Sequence, residues 1–392
     1  MGYAACWLTG DVWNLFDIDL TAVTRTWAAL AFAGAAVAVT NFCPIRRRRA
    51  SWLRMSVAGL AIPLFALVAA AGVNVNFGAY PTVADALGAN PYRTITVAKI
   101  HHSVAPGGRP SAMRSPASWT DWRPSGPLPK SGKVGTVVIP ARVPNFTPRP
   151  ASIYLPPAAE AANAPALPVI VALSGQPGQP ADMFVSGRMP AILNRYAAAH
   201  HGLAPIVVVP DQLGAPRRNP MCVNSPLGDV ATYLTKDVPR WIRAHLHVAP
   251  SPGHWAVAGF SEGGTCSIQF AAGYPGLFHT FLDISGEEAP TMGPRTIAAA
   301  FHGSPAAYDA AKPLNLLAAH APYRHTLGIF GVGAADARYL PQTKTVEAAA
   351  RRAGMTTSLI VAPGTAHDWR TVRFVMTRAL PRIANRLFDG LS

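Results

Sequence analysis

The stretch HWAVAGFSEGGTCSIQFAAGY, residues 254–274, decides the fold. Its first seven residues form a continuous apolar run, which predicts a strand buried on both faces of a sheet, and the residues after Ser261 predict a helix. Gly259 and Gly263 complete the pattern G-x-S-x-G, which places a serine on a sharp strand-to-helix turn. Ser261 is therefore a candidate nucleophile. A serine in an ordinary glycine-rich loop is the alternative, so an acid, a histidine and an oxyanion hole must come from elsewhere in the chain.

Strand-like runs alternate with helical patterns from about residue 134 onward. VGTVVIPA and ASIYLPP are bounded by prolines and predict two antiparallel edge strands. LPVIVALSG and APIVVVPD are continuous apolar runs, as expected for strands buried on both faces of a sheet. Four more predicted strands follow and alternate with helical stretches: HWAVAGF, HTFLDISG, HTLGIFGV and MTTSLIVAP. Strand–helix alternation implies right-handed βαβ units. Residues 134–392 are thus predicted to form one α/β domain with a mostly parallel central sheet.

A serine hydroxyl is a poor nucleophile without a general base, and the G-x-S-x-G fold orders the residues as Ser, acid, His along the chain. His367, in APGTAHDW, follows the last predicted strand and is the best base among twelve histidines. Asp336 lies in the loop after the preceding strand and is the candidate acid that would orient the imidazole. Asp283, at the end of an earlier strand, and Asp309 compete for this role.

The oxyanion hole requires two backbone N–H donors. One would be the amide of Glu262, which follows the nucleophile, whereas the Glu262 carboxylate has no assigned role. The other would come from ALSGQPGQP, the loop after an early strand, through Gln176 or Gly175. The glycines of this loop could equally serve only to make a turn.

The first part of the chain has the composition of a membrane anchor. Only 14% of all residues are charged, and two uncharged runs, residues 26–45 and 55–77, are each long enough to cross a bilayer as a helix. A pair of buried globular helices and a cleaved signal peptide are the alternatives. Arginines at 46–49 and 54 favour a cytoplasmic loop between the two spans, which puts the rest of the chain outside the cell. Residues 1–78 are predicted as the anchor and 79–133 as a connector and linker.

The net charge of +15 does not indicate nucleic-acid binding, because the cations form one dense block and otherwise scatter without a recognition motif. No cysteine or histidine spacing suggests a metal site, and no cofactor is predicted. Of four cysteines, Cys222 and Cys266 fall near the nucleophile turn. A disulfide between them is plausible in an oxidising compartment, and two free buried thiols are the alternative.

These motifs together resemble the esterase-D-like branch of the α/β-hydrolases, which includes the mycolyltransferases of actinobacterial envelopes. The resemblance spans about residues 134–388 and is carried by LSGQPG, TYLTKDVPRWI, GFSEGGTC and AHDW. It implies an α/β-hydrolase fold and a Ser–acid–His triad formed by Ser261, Asp336 and His367, with the amides of Glu262 and Gln176 as oxyanion donors. With its two predicted spans the chain is also similar to membrane-anchored actinobacterial envelope esterases.

The function expected on these grounds is hydrolysis of a carboxylic ester, from a lipid or the cell envelope, through an acyl-enzyme. The expected partners are an ester with an apolar acyl group and the membrane lipids, and the oligomeric state stays open. An acyltransferase that uses a sugar or lipid hydroxyl as acceptor is the first alternative, and a non-catalytic envelope scaffold is the second. The alanine-rich insert at residues 287–322 is predicted to cover the pocket.

Overall fold

A computed structural model describes residues 2–8, 20–42, 52–87, 89–97 and 119–389. Its centre is an eight-stranded sheet with the order β1-β2-β4-β3-β7-β8-β9-β10, and β5 and β6 form a separate two-stranded ribbon. The strands are β1 (Lys133–Val137), β2 (Ala151–Leu155), β3 (Val169–Leu173), β4 (Ile206–Val209), β5 (Asn224–Ser225), β6 (Gly228–Asp229), β7 (Trp255–Phe260), β8 (Thr280–Ile284), β9 (Leu327–Gly333) and β10 (Thr356–Ala362).

Strand direction follows the sequence prediction. β1 pairs antiparallel with β2, and β2 pairs antiparallel with β4. Every pair from β4 across to β10 is parallel. The predicted mostly parallel sheet, with two antiparallel strands at one edge, is confirmed.

The helices that precede the sheet in the chain are α1 (Gly2–Cys6), α2 (Ala22–Phe42), α3 (Trp52–Phe77) and α4 (Val83–Ala86). Those that follow are α5 (Asp182–Val185), α6 (Met189–Ala199), α7 (Val230–Thr232), α8 (Val238–His245), α9 (Glu262–Gly273), α10 (Thr296–Ala300), α11 (Pro305–Ala311), α12 (Pro313–His320), α13 (Tyr339–Arg352) and α14 (Trp369–Asp389). Helices of this second group cover both faces of the sheet. Trp255 and Val257 of β7 belong to one hydrophobic cluster, together with residues of α8, α9 and α13. Ala256 and Ala258 belong to the opposite cluster, with residues of α6 and α14. Because both faces are covered, β3, β4 and β7 are apolar at every position rather than at alternate ones.

The two long N-terminal helices are apolar and mostly unburied. Residues 22–40 of α2 and 55–77 of α3 are long and apolar enough to cross a membrane by length and composition. Helix α2 begins at Ala22, four residues before the apolar run that starts at Thr26, so its first turn includes Thr24 and Arg25. Pro63 lies inside α3 without ending it. The arginine block at residues 46–49, like Cys43, falls outside the described residues.

The segment predicted as a linker, residues 79–133, makes specific contacts with the α/β domain at both of its ends. Near its start, the Ile95 amide donates to the carbonyl of Thr136 in β1, and the Thr136 amide donates to the carbonyl of Arg93. Near its end, Trp119 and Trp122 are buried, and their indole N–H groups bond backbone carbonyls at Ala166 and Asn163 respectively. Residues before 134 therefore also pack against the α/β domain: Trp119 and Trp122 are buried in it, and residues 93–95 pair with β1 through main-chain hydrogen bonds. Residues 98–118 fall outside the described part of the chain.

Candidate active site

Ser261 lies on a strained turn between β7 and α9. Its backbone has φ 59° and ψ −119°, a conformation that non-glycine residues rarely adopt. A side chain at Gly259 would overlap the backbone of Gly263, and one at Gly263 would overlap the backbone carbonyl of Ser174. The two glycines are thus required because the turn brings three backbone segments together. The turn is held by a 2.8 Å hydrogen bond from the Ser261 amide to the carbonyl of Ile284 in β8.

His367 connects Ser261 to Asp336. Its Nε2 lies 2.9 Å from the hydroxyl oxygen of Ser261, and its Nδ1 lies 3.1 Å from Oδ2 of Asp336. The histidine follows β10 and the aspartate follows β9, so the carboxyl ends of neighbouring parallel strands bring the three residues together. Tyr339 stacks on the imidazole with ring centroids 4.1 Å apart, which restricts its rotation. In this arrangement Nδ1 can donate to the carboxylate while Nε2 accepts a proton from the serine.

The other acidic candidates have different partners. Asp283 is buried and its Oδ1 accepts a hydrogen bond from the Gly286 amide, while burial raises the pKa of its carboxyl to about 7. Asp309 forms an ion pair with Lys312.

Two further aspartates near the site have structural partners. Asp368, next to the histidine, accepts from the amide of Thr371 and from Arg370. Asp211, which follows β4, pairs with Arg149 at 2.7 Å.

The expected oxyanion donors lie beside Ser261. Glu262 is the first residue of α9, so its amide has no acceptor within the helix. Gly175 lies so close that a Cβ on it would stand 3.4 Å from Cβ of Ser261. Gln176 follows, joined to Pro177 by a cis peptide bond, and lines the same cavity as Ser261 and Glu262. The two loops thus meet at the serine, as an oxyanion hole needs.

The Glu262 side chain is buried beneath the turn. Burial raises the pKa of its carboxyl to about 8, an amide hydrogen bond from Gln212 opposes that rise, and the charge of Asp211 adds to it. Cys222 and Cys266 are joined by a disulfide next to this carboxyl. Both sulfurs are used in the bond, so this group of one glutamate and two cysteines has no thiolate to offer a metal ion.

A cavity of about 910 Å³ opens over Ser261. Ser261, His367 and Trp369 lie at its polar end, and its apolar wall comes from α3, beginning at Leu67, and from the chain between residues 79 and 86. Glu287 and Thr291 are the residues of the 287–322 insert that line it. The prediction that this alanine-rich insert covers the pocket is therefore wrong for most of its length, because α12 packs against α9 and α13 instead. The sequence patterns did not predict that the end of the second apolar helix, α3, contributes to the wall of this cavity.

The strand order, the direction of the strands, the strained turn of Ser261 after β7, and Asp336 and His367 after β9 and β10 together define an α/β-hydrolase. The chain belongs to the family described as "Putative esterase", whose model matches residues 147–373. The predicted fold and the resemblance to esterase-D-like proteins are both confirmed.

One curated relative is an uncharacterized protein of Corynebacterium glutamicum, which is 34% identical over 249 residues, 62% of this chain. The matched segment is 58% of that protein, so the chain spans less than two thirds of its relative's length.

Solved structures of esterases share the fold. A ferulic acid esterase matches with a TM-score of 0.56 and 19% identity, over 66% of this chain and 100% of its own. S-formylglutathione hydrolase from Agrobacterium tumefaciens matches with a TM-score of 0.55 and 18% identity, over 68% and 100%. A fluorophosphonate-binding serine hydrolase of Staphylococcus aureus matches with a TM-score of 0.53 and 16% identity, over 65% and 99%.

Proposed function

We propose that this protein is a membrane-anchored serine esterase in which Ser261 attacks the carbonyl carbon of a carboxylic ester. The observation that carries the proposal is the hydrogen-bonded series from Ser261 through His367 to Asp336, with separations of 2.9 and 3.1 Å. Family membership supports the ester as the substrate bond.

In the first half-reaction the Ser261 oxygen bonds to the carbonyl carbon as its proton passes to Nε2 of His367. The carboxylate of Asp336 holds Nδ1–H and stabilises the imidazolium. The amides of Glu262 and Gln176 stabilise the oxyanion, and the positive end of α9 adds to this effect. The tetrahedral intermediate then collapses, and His367 returns the proton to the leaving alcohol, so that an acyl-serine remains.

In the second half-reaction His367 takes a proton from water, which attacks the acyl carbon, and the same proton returns to Ser261 as the acid leaves. An alcohol in place of water would give acyl transfer by the same steps. Product analysis with and without an added glycosyl or lipid alcohol separates the two outcomes.

Labelling with a fluorophosphonate probe tests the nucleophile. The full-length protein should be labelled, and Ser261→Ala should abolish labelling. Ser251→Ala, at an exposed serine that caps a single helical turn, should be labelled like the wild type. An unlabelled wild type, or a labelled Ser261→Ala, would contradict the proposal.

We further propose that the catalytic domain faces the outside of the cell. The arginine block between the apolar segments favours a cytoplasmic loop, and the Cys222–Cys266 disulfide suits an oxidising compartment. Fusions placed after Ser392 test this: alkaline phosphatase should be active there and green fluorescent protein dark. The opposite pattern would place the domain in the cytoplasm.

A further inference from the structure

One face of the second apolar helix, α3, forms part of the wall of the active-site cavity. Leu67, Ala70, Ala71 and Asn74 of α3 line the cavity together with Phe77 at its end. Their spacing of three and four residues puts them on a single stripe along the helix. From Leu67 to Phe77 the helix rises by ten steps of about 1.5 Å, so the wall is about 15 Å long, which is about half the ~30 Å thickness of a bilayer's hydrocarbon core.

The opposite face of α3 packs against α2. Gly72 lies against the Trp27 ring, and Gly34 of α2 lies against the Phe65 ring. Asn76 donates hydrogen bonds to the hydroxyls of Thr21 and Thr24. The stripe that lines the cavity is therefore left free by the pairing of the two helices. Below the cavity α3 presents large exposed apolar side chains, including Leu64, which is 61% exposed, and Leu60, which is 71% exposed.

The end of α3 is fixed to the loop that carries His367. Arg370 donates to Oδ1 of Asn76 and to the carboxylate of Asp368. Arg373 donates to the carbonyl of Gly78 and to that of Ser186 in the α/β domain. The upper end of the apolar wall is thus held beside the serine, while its lower end at Leu67 lies at a depth that lipid tails occupy if α3 crosses a bilayer.

We propose that the substrate is a membrane lipid ester with a long acyl chain, and that this chain reaches Ser261 sideways from the outer leaflet along α3. The proposal rests on the serine esterase function and on α3 crossing the membrane. An apolar chain on this route stays against apolar surface throughout, because the lipid-facing stripe of α3 continues into the cavity wall. Only the ester group has to reach the polar end at Ser261 and His367. The helix that anchors the protein would then also select acyl chain length.

Substitutions on the stripe test the route. Full-length protein is reconstituted in phosphatidylcholine–phosphatidylglycerol vesicles and assayed with 4-methylumbelliferyl butyrate, octanoate and palmitate. Ala71→Trp should lower kcat/KM for palmitate and for octanoate at least tenfold more than kcat/KM for butyrate. Leu67→Trp, at the far end of the wall, should lower kcat/KM for palmitate at least tenfold more than kcat/KM for octanoate. Val68→Trp is the matched control, since Val68 is 48% exposed and does not line the cavity; all three esters should stay within twofold.

The possible failures are distinguishable. Unchanged palmitate hydrolysis by both Ala71→Trp and Leu67→Trp, or an equal loss at Val68→Trp, would overturn the acyl route while butyrate turnover by the wild type still supports the esterase. If Ala71→Trp also loses butyrate and fluorophosphonate labelling, its fold is damaged, and the chain-length pattern of Leu67→Trp decides. No hydrolysis of any ester by the wild type would overturn the esterase itself, and with it the route.

Discussion

The guanidinium of Arg373, in the C-terminal helix, donates a 2.9 Å hydrogen bond to the carbonyl oxygen of Gly78, the residue just after the second apolar helix. Gly78 has φ 64°, and a side chain on it would overlap the Arg373 guanidinium. The two residues form a close contact between the end of α3 and the C-terminal helix α14.

Loss of this hydrogen bond should increase the mobility of the end of α3, which lines the cavity, without removing Ser261, His367 or Asp336. Hydrogen bonds to charged groups contribute about 1.5–3 kcal/mol each, so Arg373→Ala should raise local opening by tenfold or more. Hydrogen exchange should show faster amide exchange at residues 76–80. Arg378→Ala, at an exposed arginine of the same helix, is the control and should leave exchange there unchanged. Equal amide exchange at residues 76–80 in the wild type, Arg373→Ala and Arg378→Ala would mean that the Arg373–Gly78 hydrogen bond does not hold the end of α3.

Asp336→Asn should lower kcat about 10³–10⁴-fold with little change in KM, because the amide cannot stabilise the imidazolium that forms at His367. Steady-state kinetics with a short-chain ester measures the effect. Asp309→Asn, at the exposed ion pair with Lys312, should stay near wild type. Asp283→Asn distinguishes the two candidate acids. A fall in kcat as large as that of Asp336→Asn would contradict the assignment of Asp336 as the acid that orients His367.

Reduction of the Cys222–Cys266 disulfide should destabilise the protein. The bond closes a loop across 44 residues, and the chain-entropy relation gives about 4 kcal/mol for a loop of that length. Mild reductant should lower the melting temperature of the wild type and leave that of the Cys222→Ala/Cys266→Ala double variant unchanged. Mass mapping without reductant should recover the two cysteine peptides joined, and two free thiols in that map would disprove the bond.

Glu262→Gln should change how stability depends on pH. The folded-state pKa of Glu262 is raised to about 8 by burial, from a value of 4.5 when unperturbed. Between these values the folded state binds a proton that the unfolded state has released, so this carboxyl makes stability fall as pH rises from about 4.5 to 8. A glutamine at position 262 does not titrate, so Glu262→Gln should lack this decrease in stability between about pH 4.5 and 8.

Thermal melts at pH 5 and pH 8.5 measure the difference. The melting temperature of Glu262→Gln relative to wild type should be higher at pH 8.5 than at pH 5. Glu160→Gln, at an exposed glutamate, should show no such shift with pH. Parallel melting curves for wild type and Glu262→Gln would mean that the buried carboxyl titrates normally.

Features of the fold that depend on local pattern could be read from the sequence. The strand before Ser261 is apolar on both faces because helices cover both, and chain order after it places Asp336 and His367 at the ends of β9 and β10. The contacts between distant segments could not be read in this way. The wall from α3 and the burial of Trp119 and Trp122 follow from docking, which leaves no periodic signal in either partner. The 287–322 insert illustrates the same limit, because its alanine content fits helix packing as well as it fits a pocket.

Strand β1 is one edge of the eight-stranded sheet, and residues 93–95 form main-chain hydrogen bonds along it. Unpaired edge strands invite association with other chains, and proteins commonly shield them. Here the shield is the stretch of chain that follows the two apolar helices, so the N-terminal part of the chain also protects an edge of the α/β domain. A soluble form cut at residue 134 would expose β1 and be prone to self-association, whereas one that keeps the chain from Tyr92 would carry its own edge protection.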